Sequence, residues 1–138
     1  MERTFAIIKP DAVARLLIGD IVKRIEASGL KIVGMRLARL SRAEAETFYD
    51  VHKERSFYGS LCDYMTSGPV VVMALEGDGA IKRWRDLMGA TDPAKAEPGT
   101  IRRDFGQNVE RNATHGSDAP ETAARELGFF FRTSELVS

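Results

Sequence analysis

The chain is short of several residues that would signal particular classes of protein. It has one cysteine, two histidines and no net charge, with 20 basic residues against 20 acidic ones. A lone Cys62 cannot close an intramolecular disulfide, so a disulfide-stapled fold is excluded. Two histidines and one cysteine give no zinc-ligand spacing, which argues against a metal hydrolase. The charge balance argues against a dedicated nucleic-acid binder, which carries a basic excess or stripe, although it leaves room for a local patch and secondary binding of single strands. The longest apolar run, Pro69 to Leu75, is too short to cross a bilayer. Met1-Glu2-Arg3-Thr4 leads into a strand-like run without the apolar core of a signal peptide, so a cytoplasmic protein with no membrane partner is expected. No linker, repeat or low-complexity block interrupts the 138 residues, and one domain over 1–138 is expected.

The periodicities that are present alternate between strand and helix. Phe5 to Ile8 reads as a buried strand stopped by Pro10, and Asp11 is a candidate helix cap. Ile18, Ile21, Val22 and Ile25 share one helical face, closed by Gly29. From Leu30 to Leu40 the period falls to two, which places Val33, Met35 and Leu37 on one face of a strand. Ser41-Arg42-Ala43-Glu44 has the form of a capping box, and a further helix is expected over Gly59 to Ser67. Pro69 to Leu75 reads as a central strand, followed by a helix that Asp78 caps and that ends at Met88. Gly89 to Arg111 shows no sustained period and reads as a long loop, of the kind that is functional or disordered. Its few apolar residues suggest that it needs bracing by neighbouring subunits. A short strand near Ala113 to His115 precedes a helix with Asp118 as cap, Pro120 near its first position and Glu121 in its first turn. This order is that of a ferredoxin-like α+β sandwich with split βαβ units: four antiparallel strands covered by helices, with a long phosphate-binding loop.

The most informative segment is Asn112-Ala113-Thr114-His115-Gly116-Ser117-Asp118. It sets a histidine among small and polar residues, beside a glycine that would leave the ring approachable. Imidazole titrates near pH ~6.5, so an unprotonated ring nitrogen is available as a nucleophile at neutral pH. A covalent intermediate on such a ring splits one transfer into two easier steps. Upstream lie Arg85, Thr91, Arg102 and Arg103, and guanidinium forks match phosphate oxygens bidentately. Any one of them is explained by a solvated surface; several leading to an open histidine suggest phosphoryl transfer. There is no Walker A sequence and no kinase glycine-rich loop.

Lys9-Pro10-Asp11, the stretch Phe48 to Arg55, Ser67-Gly68-Pro69-Val70, Met88-Gly89-Ala90-Thr91-Asp92-Pro93 and Asn112 to Asp118 stand in the order seen in nucleoside diphosphate kinases, and the resemblance runs from Thr4 to Phe131. It implies transfer of a γ-phosphate between nucleotides through a phosphohistidine at His115, with broad base and sugar tolerance. Lys9 and Asn112 match residues that hold the sugar hydroxyls, and Lys9 also approaches the transferring phosphate. Arg85, Thr91 and Arg102 match the phosphate clamp, His52 a nearby phosphate ligand, and Tyr49 a tyrosine beside the nucleophile. Phe57 and Val109 match the two apolar faces that enclose the base. Ser117 and Glu126 match the polar pair that orients the imidazole. The implied cofactor is Mg2+, bridging phosphate oxygens and mostly water-bound, with Asp118 in its outer shell and no direct protein ligand. The resemblance also implies a homo-oligomer, a tetramer or hexamer built from a shared dimer.

Three positions depart from the pattern. Ser56 stands where proline is common, Tyr58 where a second phenylalanine is common, and Leu16 where glycine or asparagine often occurs. None of the matched catalytic positions is altered. A catalytically silent binding module on the same fold would lack His115, Lys9 or Arg102, and all three are present. An RNA-binding ferredoxin-like domain would show an aromatic-rich strand and a basic surface, and neither appears.

Overall fold

The computed structural model describes all 138 residues. In chain order the elements are β1 (Glu2–Ile8), α1 (Pro10–Ala14), α2 (Ile18–Ala27), β2 (Lys31–Ala38), α3 (Arg42–Phe48), α4 (Tyr58–Met65), β3 (Val70–Gly77), α5 (Ala80–Met88), α6 (Ile101–Phe105), β4 (Thr114–Gly116) and α7 (Pro120–Phe130). Short 3₁₀ turns lie at Asp50–His52, Pro93–Lys95 and Thr133–Glu135. The strands form one sheet in the order β2-β3-β1-β4, every pairing antiparallel. This is the expected ferredoxin-like α+β arrangement, in which each βαβ unit leaves room for a strand of the other. No helix is long and apolar enough to cross a membrane.

The sheet separates two cores because side chains alternate across it. Ala6, Ile8, Val71, Met73 and Leu75 face α2 and α5, where Ile21, Ile25 and Trp84 are fully buried. Phe5, Ile7, Val70, Val72 and Ala74 face the other way, against Phe48, Tyr64 and Phe130. β3 is buried along its whole length, as its uninterrupted apolar run requires.

Helix entry follows the sequence in some places and not in others. The Ser41 capping box forms, with Glu44 N donating to Ser41 Oγ at 3.1 Å and Ser41 N donating to Glu44 Oε1 at 2.9 Å. Gly29 takes φ 89° at the end of α2. Three expected acidic caps fail. Asp11 lies inside α1, where its carboxylate accepts from the Tyr64 hydroxyl and pairs with Arg15 at 3.2 Å. Asp78 gives way to Gly79 as the residue preceding α5, and Glu2 Oε1 accepts from Ile81 N at 2.9 Å. Ala119, not Asp118, precedes α7, which leaves the Asp118 side chain facing a cavity.

The chain between Asp11 and Gly29 forms two helices rather than one. The break falls at Leu16, whose φ of 63° no right-handed helix accommodates. In β2 a bulge between Ile32 and Gly34 resets the alternation. Val33 is buried with the Phe5 core, whereas Met35 and Leu37 pair with Met73 and Val71 and remain 47% and 63% exposed at the sheet edge. The expected common face for these three residues is therefore corrected by one extra residue.

Gly89 to Arg111 is also more ordered than its composition suggests. Asp92 and Thr100 cap the turn Pro93–Lys95 and α6 by accepting from Ala94 N and Arg103 N. Ile101 is fully buried, the Arg24 guanidinium sits 4.5 Å from the Phe105 ring, and Arg24 pairs with Asp104 at 2.8 Å. The chain itself supplies these contacts to the segment.

Candidate active site

β1 and β4 run antiparallel side by side, so the residue after β1 and the residue before β4 meet at the same end of the sheet. That register brings Lys9 to Asn112. Lys9 N donates to Ala113 O at 2.8 Å, and Lys9 Nζ donates to Asn112 Oδ1 at 2.9 Å and more weakly to Glu110 O at 3.4 Å. Asn112 Nδ2 in turn donates to Thr91 O at 3.0 Å, fastening the loop beyond α5. Ala113 has φ 74°, a left-handed backbone that costs an L-residue roughly 1–2 kcal/mol and is held by the surrounding bonds.

His115 lies within β4, opposite Ile7. Its sequence neighbours are small, but its spatial neighbours are rings: Phe48, Phe5 and Tyr49 have centroids 5.6, 6.1 and 6.5 Å away. Nε2 lies 2.9 Å from Glu126 Oε1, and the Ser117 hydroxyl donates to the same oxygen at 2.8 Å. A carboxylate only accepts, so Nε2 carries the proton and the free lone pair is on Nδ1. Gly116 is explained by packing rather than by access to the ring. A Cβ there would stand 2.6 Å from Met88 Cε and 2.7 Å from the Trp84 ring, which no side chain tolerates.

A cavity of about 450 Å³ gathers Lys9, Tyr49, His52, Phe57, Arg85, Thr91, Arg102, Val109, Asn112 and His115. A second, of about 510 Å³, continues past His115 to Asp118 and Glu126 and shares His52 and Arg85 with the first. Of the residues singled out in the sequence, Ser117 and Arg103 line neither: Ser117 is buried behind Glu126, and the Arg103 guanidinium turns away to donate to Ala94 O at 3.2 Å. Leu61 and Glu110 also line the first cavity and were not singled out. A charged residue beside a matched valine reads as solvated surface, so Glu110 gave no local signal.

The lining of this cleft combines the cations Lys9, Arg85 and Arg102 with the apolar side chains Phe57, Leu61 and Val109. Phe57 and Val109, both lining the cleft, are 44% and 57% exposed. Burial lowers the Lys9 pKa to about 8, helped by repulsion from Arg102 and opposed by Asp11 and Glu110. Arg102 is lowered to about 10, first by burial and then by Arg85. Its fork is committed on one side, with Nη1 donating to Gly89 O at 3.1 Å and Nη2 to Thr114 O at 2.9 Å, while buried Nε has no partner. The Tyr49 hydroxyl is likewise buried without a partner, and burial raises its pKa. An anionic oxygen beside Lys9 and Arg102 would offset the repulsion between these two cations.

The sequence profile described as nucleoside diphosphate kinase matches residues 2–136. The chain belongs to the nucleoside diphosphate kinase family. Among its relatives, the nucleoside diphosphate kinases of Trichlorobacter lovleyi and Desulfatibacillum aliphaticivorans are 61% and 62% identical over 137 residues, covering 99% of both chains in each case. Among solved structures, the Aquifex aeolicus nucleoside diphosphate kinase superposes with a TM-score of 0.96 at 42% identity, covering 99% of both chains. The Halobacterium salinarum enzyme, solved in complex with CDP, gives 0.96 at 46% identity, covering 99% of this chain and 91% of its own. As a nucleoside diphosphate kinase the chain is a phosphotransferase. Two departures from the family's sequence pattern acquire a structural setting. Leu16 occupies the left-handed position at which glycine or asparagine would be at ease. Tyr58 uses its extra hydroxyl to donate to Glu46 O at 3.0 Å, fastening α4 to α3. Ser56 is exposed, and nothing around it explains the change.

Proposed function

We propose that this nucleoside diphosphate kinase, acting as a single domain, works by a ping-pong mechanism in which His115 carries the phosphoryl group between a nucleoside triphosphate and a nucleoside diphosphate. The observation that carries this reading is the Glu126–His115 bond beside a cleft that His115 lines together with Lys9, Arg85, Arg102, Phe57 and Val109. Nδ1 attacks the γ-phosphorus, an N–P bond forms, and the bond to the β-phosphate oxygen breaks as the diphosphate leaves. Attack makes the ring positive, and Glu126 offsets that charge while Ser117 fixes its carboxylate. A second diphosphate then takes the group by the reverse step.

Arg85, Arg102, Thr91 and His52 hold the phosphates, and catalysis is mainly their positioning and charge. The Tyr49 hydroxyl is free to donate beside the nucleophile. Lys9 and Asn112, already bonded to each other, take the sugar hydroxyls, with Lys9 also near the transferring group. Phe57 and Val109 enclose the base by its faces, which every base possesses, so discrimination between bases is weak. Such tolerance suits an enzyme that equilibrates ribo- and deoxyribonucleoside triphosphate pools, and the cytoplasm is where those pools lie.

A resident metal cage is not part of this reading, because Mg2+ prefers one or two carboxylates together with phosphate oxygens and water. Asp118, exposed in the cavity that His115 lines, fits an outer-sphere partner of such an ion. When bound on the nucleotide, Mg2+ would supply charge neutralisation between the phosphates.

Self-association is part of the same proposal. Met35 and Leu37 sit exposed on edge strand β2, and Leu16, 87% exposed, holds the left-handed stop of α1, where Leu17 N donates to Ala12 O and Leu16 N to Val13 O, both at 3.0 Å. A second copy covering these exposed apolar side chains accounts for their exposure. The test of the whole reading is labelling with γ-labelled ATP followed by denaturing electrophoresis in alkali. An acid-labile, alkali-stable label that ADP discharges and His115→Ala abolishes is expected; retention of the label in that variant would overturn the mechanism.

A further inference from the structure

The slot assigned above to the base has jaws from two distant parts of the chain. Phe57 immediately precedes α4, and Val109 stands at the tip of the loop Gln107–Arg111. That loop closes on itself: Gln107 N donates to Arg111 O at 2.7 Å, and Asn108 Oδ1 accepts from Glu110 N at 3.1 Å and Arg111 N at 2.8 Å. These bonds fix the shape of the tip, as asparagine side chains do in turns. They do not fix its distance from α4.

Two contacts outside the loop do. Glu110 Oε2 accepts from Ser60 Oγ at 2.9 Å, and the Arg111 guanidinium lies 4.9 Å from the centroid of the Tyr64 ring. Ser60 is three residues beyond Phe57, about one helical turn, while Glu110 directly follows Val109. The hydrogen bond therefore joins the two jaws next to the side chains that form them. Glu110 is held from its main chain as well, through the weak bond from Lys9 Nζ to its carbonyl, and that bond survives removal of the carboxylate.

We propose that Ser60 and Glu110 form a clasp that sets the gap between Phe57 and Val109 and so preorganises the nucleobase slot; this rests on the slot assignment made under the proposed function. Both residues are positioning residues. Without the clasp, nucleotide binding must itself order the loop tip against α4, and that ordering is subtracted from affinity. Because the same gap receives every base, the loss falls on all nucleotides alike. It appears in KM rather than kcat, since the slot is filled equally in the ground and transition states.

The experiment compares Ser60→Ala, Glu110→Ala, Glu110→Gln and the double variant Ser60→Ala/Glu110→Ala. Calorimetric binding of ADP, GDP, CDP and pyrophosphate is measured, together with steady-state kinetics and thermal midpoints. For either alanine variant the expected result is about three- to tenfold weaker binding of all three nucleotides, the range of one lost hydrogen bond. Pyrophosphate, which has no base, should bind as before. The double variant should be no worse than the weaker single one, and Glu110→Gln, which keeps an accepting oxygen, should stay near wild type. A loss confined to guanine nucleotides would overturn the clasp and make Glu110 a reader of the base edge. Equal weakening of pyrophosphate, additive losses, or a glutamine variant as weak as alanine would each overturn it too. Failure of His115 labelling in wild type would sink the mechanism above while leaving these binding ratios readable.

Discussion

Trp84 Nε1 donates to the main-chain oxygen of His115 at 3.2 Å, and its ring fills the space that a side chain at position 116 would need. Trp84 is the only tryptophan of the chain and is fully buried. Its emission should therefore report the state of the histidine: ATP should shift it, ADP should reverse the shift, and His115→Ala should show neither. Stopped-flow fluorescence is the measurement, and a signal preserved in His115→Ala would disconnect the two residues. Gly116→Ala should fold poorly, because overpacking at contacts of 2.6–2.7 Å costs about 1–3 kcal/mol or more.

Glu126 holds the proton-bearing nitrogen of His115 and is itself held by Ser117. Glu126→Ala should slow phosphorylation about 10- to 100-fold, the range of one lost charge-assisted hydrogen bond of about 1.5–3 kcal/mol. Ser117→Ala should cost less, since the carboxylate still reaches the ring. Single-turnover labelling with γ-labelled ATP separates the two, and equal losses would show that the serine acts directly on the nucleotide.

Lys9 titrates at about 8 in the cleft instead of its ordinary 10.5 because burial and Arg102 disfavour its charge. A nucleotide phosphate brings compensating negative charge and should raise that value, so ADP binding near pH 8 should take up a proton. Calorimetry in buffers of different ionisation heat should detect the uptake, and Lys9→Met should abolish it. The sign for stability is the reverse of an ordinary ion pair. Between pH 8 and 10.5 the unfolded chain binds the Lys9 proton more tightly than the folded one. Wild type should therefore gain stability relative to Lys9→Met as pH rises through that window, by up to about 3 kcal/mol. A difference that shrinks over this range would contradict the buried, charge-disfavoured lysine.

Leu16 combines near-complete exposure with a left-handed backbone, and Leu37 exposes its side chain on β2. If a second copy covers them, Leu37→Glu should weaken association, and Leu16→Asn should relieve strain in the single chain while also weakening association. Light scattering over a micromolar dilution series should show smaller particles for both variants, and the dependence of the thermal midpoint on concentration should fall. An active wild-type monomer at those concentrations would remove self-association from the proposal.

Much of the fold is legible from periodicity, and its misreadings have local causes. Strand β3 and helix α5 follow from apolar patterning, but β2 misleads because a bulge moves Met35 and Leu37 to the face opposite Val33. Asp11, Asp78 and Asp118 all resemble helix caps, yet only tertiary structure reveals that Tyr64 and Arg15 occupy the first, that Glu2 replaces the second and that a cavity receives the third. The cleft was readable because its residues match a known family's motifs in order. Composition alone would have left Arg85 and Glu126 as solvated charges. Glu110 escaped because its partner Ser60 lies fifty residues away, and no local pattern encodes that pairing.

The two borders of the sheet differ. On one side β2 offers eight residues, and on the other β4 offers three, Thr114 to Gly116, with His115 among them. Lateral addition of strands thus has a single usable border. Chains joined there would come to a stop after one partner, because the opposite flank is too short to recruit another and is given over to chemistry. The histidine's position on the short strand keeps it off the margin along which the protein would otherwise grow into a ribbon.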